Sequence, residues 1–169
     1  CHSLLPGGSR VARRGSVPES APAPGAGVAL FINDAAGAGD QGSQLREVEK
    51  LFRGEGRDIE TITLQSAGDL GSRIASARRA GRTIVAGGGD GTINAVASHV
   101  ARTGAALGIL PLGTLNHFAK DLGIPLELEA AVKVVTAGHT RLVDIAGVSG
   151  AFFPNTSSFG TCAGVSGLR

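Results

Sequence analysis

The stretch that most constrains this chain is Gly87-Gly88-Gly89-Asp90-Gly91-Thr92, four glycines in five positions between an apolar run at 83–86 and a segment with helical spacing. Glycine has no Cβ, so consecutive glycines let backbone N–H groups approach a ligand closely. A helix starting directly behind them adds its partial positive charge at the same place. Strand, glycine loop and helix in that order point to a phosphate-binding turn. Asp90 is the odd member, because bare phosphate repels a carboxylate. It makes sense with a bound cation such as Mg²⁺ shared with nucleotide phosphates, or as a buried orienter. The plainer alternative is a tight turn in which Asp90 caps the helix that follows.

The flanking pattern extends this unit along the chain. Residues 28–33 and 59–64 read as strands, and 83–86 and 107–110 repeat the short apolar run. Between them, Leu45, Val48, Leu51 and Phe52 share one helical face over 43–53. Leu70, Ile74 and Ala77 do so over 69–80, and Ile93, Val96, Ala97 and Val100 over 92–102. A short helix ends at Gly123, and another is expected from Pro125 to Ala137. Strands alternating with helices, with strands apolar on both faces, predict an α/β fold with a doubly wound, mostly parallel sheet. The runs 142–148 and 151–158 look instead like a β-hairpin. The expected organisation is a disordered tail over 1–26, a nucleotide-binding α/β domain over 27–140, and the beginning of a truncated β-rich domain over 141–169.

Composition excludes several classes. With 42 % hydrophobic residues and a net charge of +2, general disorder does not fit. There is no Trp or Tyr and only six Phe, so the aromatic platforms of single-strand binders are missing. The 16 basic residues never form a run of five or six like charges, so nucleic acid is not an expected partner. No apolar stretch approaches the ~18 residues of a membrane span. Cys1 and Cys162 show neither a disulfide framework nor zinc spacing, which fits a reducing, cytoplasmic setting. The basic, acid-poor residues 1–26 permit an organelle-targeting reading, but a bland tail fits better. Met is absent even at position 1, so the chain is expected to be processed, trimmed or part of a longer reading frame.

Two other loops follow strand ends, where ligands of open α/β sheets bind. After 107–110 comes Pro111-Leu112-Gly113-Thr114-Leu115-Asn116-His117-Phe118-Ala119, in which Gly113 allows close approach and Thr114 and Asn116 offer a hydroxyl and an amide. Alone it is equally a capping loop; beside the glycine cluster it reads as a second nucleotide clamp. After Asn33, the run Gly37-Ala38-Gly39-Asp40-Gln41-Gly42 matches G-x-G-x-x-G, with Glu60 about 20 residues on. The glycines begin four residues beyond the strand rather than in its immediate turn. No Lys follows a glycine, which excludes a Walker A loop.

Together, Gly88-Gly89-Asp90-Gly91-Thr92 with Asn94, the Gly113–Ala119 segment and Leu122-Gly123-Ile124-Pro125 resemble the catalytic domain of the diacylglycerol kinase and sphingosine kinase family, especially its bacterial lipid kinases. The resemblance spans about residues 28–160. It implies an NAD kinase/phosphofructokinase-like fold that binds MgATP and transfers the γ-phosphoryl group to the hydroxyl of diacylglycerol or a related lipid in phospholipid metabolism. It also implies at most a peripheral contact with the inner membrane face. Residue by residue, Asn33 and Gly37 are similar to the family's first nucleotide loop, and Gly88, Gly89, Asp90, Gly91, Thr92 and Asn94 to its phosphate loop. Thr114 and Asn116 match the second nucleotide segment. Asp144 with Asp90 resembles the carboxylate and magnesium network, and Asn155 and Gly160 resemble the start of the second domain.

There are departures. Asp34 replaces a proline, Ala95 a glutamate, and His117 an aspartate, for which Asp121 one turn later could substitute. By the resemblance, the base for the acceptor hydroxyl lies in the second domain, beyond these residues, so the chain alone is expected to bind nucleotide weakly and not to turn over. The alternatives are an NAD kinase-like enzyme with a soluble substrate and a non-catalytic NAD(P)-binding module using Gly37 to Gly42.

Overall fold

A computed structural model describes residues 27–33, 40–64, 69–141, 143, 146–148 and 151–153. Its elements are β1 (Val28–Asn33), α1 (Asp40–Gly54), β2 (Ile59–Leu64), α2 (Leu70–Arg79), β3 (Thr83–Gly88), α3 (Asp90–Val100), β4 (Leu107–Pro111), α4 (His117–Asp121), α5 (Leu128–Ala137), β5 (Ala146–Val148) and β6 (Ala151–Phe153). The first four strands form one sheet in the order β2-β1-β3-β4, and every neighbouring pair is parallel. This confirms the α/β class read from the alternating pattern.

Successive residues of β1 serve opposite faces, which is why the strand is apolar throughout. Ala29 and Phe31 pack with Ile74, Ile93, Val96 and Phe118 under α2, α3 and α4. Val28, Leu30 and Ile32 pack with Val48, Phe52, Ala131 and Val132 under α1 and α5. Leu30, Phe31 and Phe52 are completely buried, and each such side chain contributes on the order of 1.5–3 kcal/mol of transfer free energy.

The strand order reverses at the centre of the sheet. From β1 the chain steps outward to β2, then returns to place β3 on the other side of β1, where Ile32 lies beside Gly87. β1 therefore leads to α1 on one face and β3 to α3 on the other, and the sheet edge between the two strand ends is the ligand position in doubly wound sheets. At the opposite end Arg82 ties the strand starts together through Asp58, Glu60 and the Val28 carbonyl.

Several expected boundaries move. β3 runs two residues further than the apolar run, because Gly87 and Gly88 pair with Leu110 and Pro111 of β4. α1 and α3 begin earlier, at Asp40 and Asp90, and α3 ends at Val100. α5 begins at Leu128 rather than Pro125, since Glu127 keeps an extended backbone (ψ 130°). The expected hairpin is present as β5 and β6, antiparallel and three residues each; the remainder of 142–158 that was expected to extend it lies largely outside the described residues, as does the expected tail over 1–26.

At the start of α2, Ser72 and Arg73 both donate to the Asp69 carboxylate, and these bonds hold its pKa below the ordinary 3.8. A carboxyl depressed in the folded state contributes stability above its ordinary pKa and loses it as pH falls. Asp69→Asn should therefore lower neutral-pH stability slightly, remove the matching small part of the acid-induced drop below about pH 4, and converge with the parent in acid. Thermal melts from neutral to acid pH would check this.

Candidate functional site

The glycine loop and the loop after β4 meet at the C-terminal edge of the sheet. The Leu112 amide donates to the Gly88 carbonyl at 3.2 Å, continuing the β3–β4 ladder past the end of β4. Gly88 sits at φ +153°, and a Cβ there would lie 2.8 Å from the Cβ and Oγ1 of Thr92. Only glycine fits that position without strain. One residue on, Gly89 forms the N-cap of α3 with extended backbone. A Cβ on Gly113 would fall 2.3 Å from the Gly89 Cα, so the two loops touch backbone to backbone.

Asn116 holds the second loop in shape. It is 6 % exposed, and among the described residues it alone is a non-glycine with positive φ. Its left-handed backbone (φ 50°, ψ 43°) is one Asn tolerates better than most residues. The side-chain oxygen accepts from the Gly113 amide at 3.0 Å, while Nδ2 donates to the Gly113 carbonyl at 2.6 Å and the Pro111 carbonyl at 3.3 Å. Turned back on its own loop in this way, it gives α4 no side-chain cap.

Asp90 supplies that cap from another helix. It is the first residue of α3, so it is not the N-cap of its own helix, and the capping alternative is corrected in that respect. Its Oδ1 accepts from the Phe118 amide at 2.9 Å and its Oδ2 from the His117 amide at 3.2 Å. This is the orienter reading with the object it orients identified, the start of α4.

Other expected residues fall into place unevenly. Thr92 and Asn94 lie in the first turns of α3, and Asn94 Oδ1 is a buried oxygen without a hydrogen-bond partner among the described residues. Gly91 is helical, and among the described residues a Cβ there would meet nothing within 4 Å beyond its own helix. Thr114 is exposed, as are His117 and Asp121 on α4, and Leu115 beside them is 59 % exposed. Asn33 is exposed at the C-terminal end of β1, opposite Leu64 of β2. Asp34, Gly37, Asp144, Asn155 and Gly160 lie outside the described residues, and Gly42 is the third residue of α1.

The described residues contain no group of three or more His, Cys, Asp or Glu able to hold a metal. Asp90 is the one carboxylate in the glycine loop. A Mg²⁺ ion there would draw most of its oxygen ligands from bound phosphates and water, the usual arrangement at nucleotide sites. The space beside Gly91 suits an approaching phosphate, whereas Asn94 Oδ1, an acceptor, calls for a donor such as a ligand hydroxyl or amine, or a water.

Comparison with known proteins gives a consistent picture. Residues 27–148 match the diacylglycerol kinase catalytic domain. The chain is 44 % identical over 138 residues to the "Probable lipid kinase YegS-like" of Klebsiella pneumoniae, covering 78 % of this chain and 46 % of that protein. It is 43 % identical over 125 residues to the "Probable lipid kinase YegS" of Escherichia fergusonii, covering 71 % and 41 %. A crystal structure described as a diacylglycerol kinase of Bacillus anthracis superposes with a TM-score of 0.64 at 28 % identity, over 75 % of this chain and 49 % of that one. The chain thus spans somewhat under half the length of these relatives.

Proposed function

The chain belongs to the diacylglycerol kinase catalytic-domain family, and from that premise we propose that it carries the ATP-binding half of a lipid kinase. The reaction is transfer of the γ-phosphoryl group of MgATP to a lipid hydroxyl. The lipid oxygen forms the new P–O bond, the bond to the β-phosphate oxygen breaks, and the hydroxyl proton passes to a base. The expected base lies in a β-rich second domain beginning near residue 141. Diacylglycerol or a related lipid is the acceptor, reached by peripheral contact with the cytoplasmic membrane face. No helix among the described residues is long and apolar enough to cross a membrane.

In phosphoryl transfer the protein mainly positions reactants and stabilises charge. The amides of Gly89 and Gly91 at the start of α3 serve the phosphates, helped by the helix charge. Thr92, Asn94 and Thr114 supply polar groups around them, with Asn33 at the end of β1 and, by the family resemblance, Gly37 in the first nucleotide loop. Asn116 keeps the second loop shaped for the nucleotide. Mg²⁺ arrives with ATP, its charge offset by Asp90 and, by the family resemblance, Asp144.

Gly91 is the observation that carries this reading. A helical glycine is less favourable than Ala by roughly 1 kcal/mol, and among the described residues neither positive φ nor a packed neighbour requires it here. The fold does not need Gly91, whereas a phosphate approaching the loop does. Gly91→Ala should thus leave thermal stability equal or higher by up to about 1 kcal/mol and weaken ATP binding by about tenfold or more, a ~1.4 kcal/mol loss. Calorimetric titration with MgATP and with NADH would decide. Preference of the wild-type chain for NADH, or unaltered ATP affinity in the variant, would overturn the reading.

A further inference from the structure

The start of α4 has no capping side chain of its own, because its N-cap residue Asn116 spends both polar side-chain atoms on Pro111 and Gly113. A five-residue helix is far below the length that stands alone in water, so something outside it must hold its free N–H groups. The two oxygens of the Asp90 carboxylate take one each, from residues 27 and 28 positions later in the chain. This reach is possible because the glycine loop and the Gly113 loop lie in backbone contact at Gly89. Phe118, whose amide Asp90 accepts, is itself buried in the core face that includes Ile93 of α3.

We propose that Asp90 is a positioning residue: by capping α4 across the sheet edge, its carboxylate locks the Gly113–Asn116 loop to the glycine loop, so both present themselves to the nucleotide as one preformed clamp. Whatever charge it lends to a metal, this task is set in the ligand-free protein. The proposal rests on the nucleotide-site reading only for its effect on binding; the clamp is independent of any ligand.

The test separates the two. In the nucleotide-free chain, amide hydrogen exchange should show His117 and Phe118 protected. Asp90→Ala should speed exchange at both by roughly tenfold, the size expected when a cap is lost, while Leu30 and Val85 in the sheet keep their protection. Asp90→Asn retains one acceptor oxygen, so one of the two amides should keep its protection and the other lose it. That variant serves where the alanine variant fails to fold. ATP titrations follow, once with Mg²⁺ and once with EDTA. A positioning role predicts that Asp90→Ala weakens ATP by a similar factor in both. Unchanged protection at His117 and Phe118 in both variants would overturn the proposal, as would a loss of affinity confined to the Mg²⁺ titration. Failure of wild-type protein to bind ATP would instead count against the nucleotide-site reading and leave the exchange result to judge the clamp.

Discussion

Gly113→Ala should be among the most damaging single substitutions in this chain, lowering stability by about 3 kcal/mol or more, the upper end for overpacking. A Cβ at Gly113 would stand 2.3 Å from the Gly89 Cα and 2.9 Å from the Gly89 nitrogen. Both are backbone atoms at the head of α3, so no side chain can swing away to make room. Relief requires the two loops to part, which would also break the Leu112 to Gly88 bond that continues the β3–β4 ladder. Set against a typical total of about 5–15 kcal/mol, such a change leaves little reserve. Thermal unfolding should show a large drop in Tm, and any ATP binding in the folded fraction should fall with it. A Gly113→Ala variant as stable as the parent would mean that the loops are not in contact. Gly91→Ala is the matched control, since among the described residues the same added methyl there meets nothing within 4 Å beyond its own helix.

Asn116 should be nearly as sensitive, for a different reason. Asn116→Ala removes the partners of the Gly113 amide, the Gly113 carbonyl and the Pro111 carbonyl and leaves Ala in a left-handed backbone conformation. Lost bonds and strain together should cost about 2–4 kcal/mol. Asn116→Gly loses the same bonds without the strain and should recover roughly 1 kcal/mol of that loss. Equal denaturant midpoints for the two variants would show that the positive φ carries no cost. Because Asn116 and Gly113 share a loop, the double variant Gly113→Ala/Asn116→Ala should be less destabilised than the sum of its parts.

The parts of this molecule legible in the sequence were those fixed by local pattern. The bounds of β1 follow from its apolar run and those of β2 from a stretch rich in β-formers, and Ile93, Val96, Ala97 and Val100 form the buried face of α3 as their spacing requires. The glycine cluster and the Gly113 loop were recognisable because few other arrangements need so many residues without a Cβ. What the sequence concealed depends on contacts between distant segments. β3 continues through Gly87 and Gly88 because β4 is beside it, which glycine's weak strand preference gives no reason to expect. Asp90 read as a partner for a phosphate-bound cation or an orienter, with a cap for its own helix as the plainer alternative, and nothing local showed that its carboxylate serves a helix reached only after β4. Asn116 read as a polar group for a ligand, and nothing local announced that its amide is engaged within the loop. Gly108 is similar: a Cβ there would press on Val85 and Val135, a requirement of sheet and α5 packing that no local motif records.

The central pairing of the sheet has a consequence for how the protein comes to exist. β1 is bonded directly to β3, with Val28 opposite Thr83, although the whole of α1, β2 and α2 intervenes in the chain. Closing so long a loop costs entropy before it returns any contact, so parallel sheets of this kind fold slowly, on a scale nearer milliseconds to seconds than microseconds. β4 pairs with β3 on the side away from β1, and until β4 is in place the start of α4 does not lie beside Asp90. The clamp therefore depends on the β3–β4 pairing, and its closure reports that β4 has docked on β3.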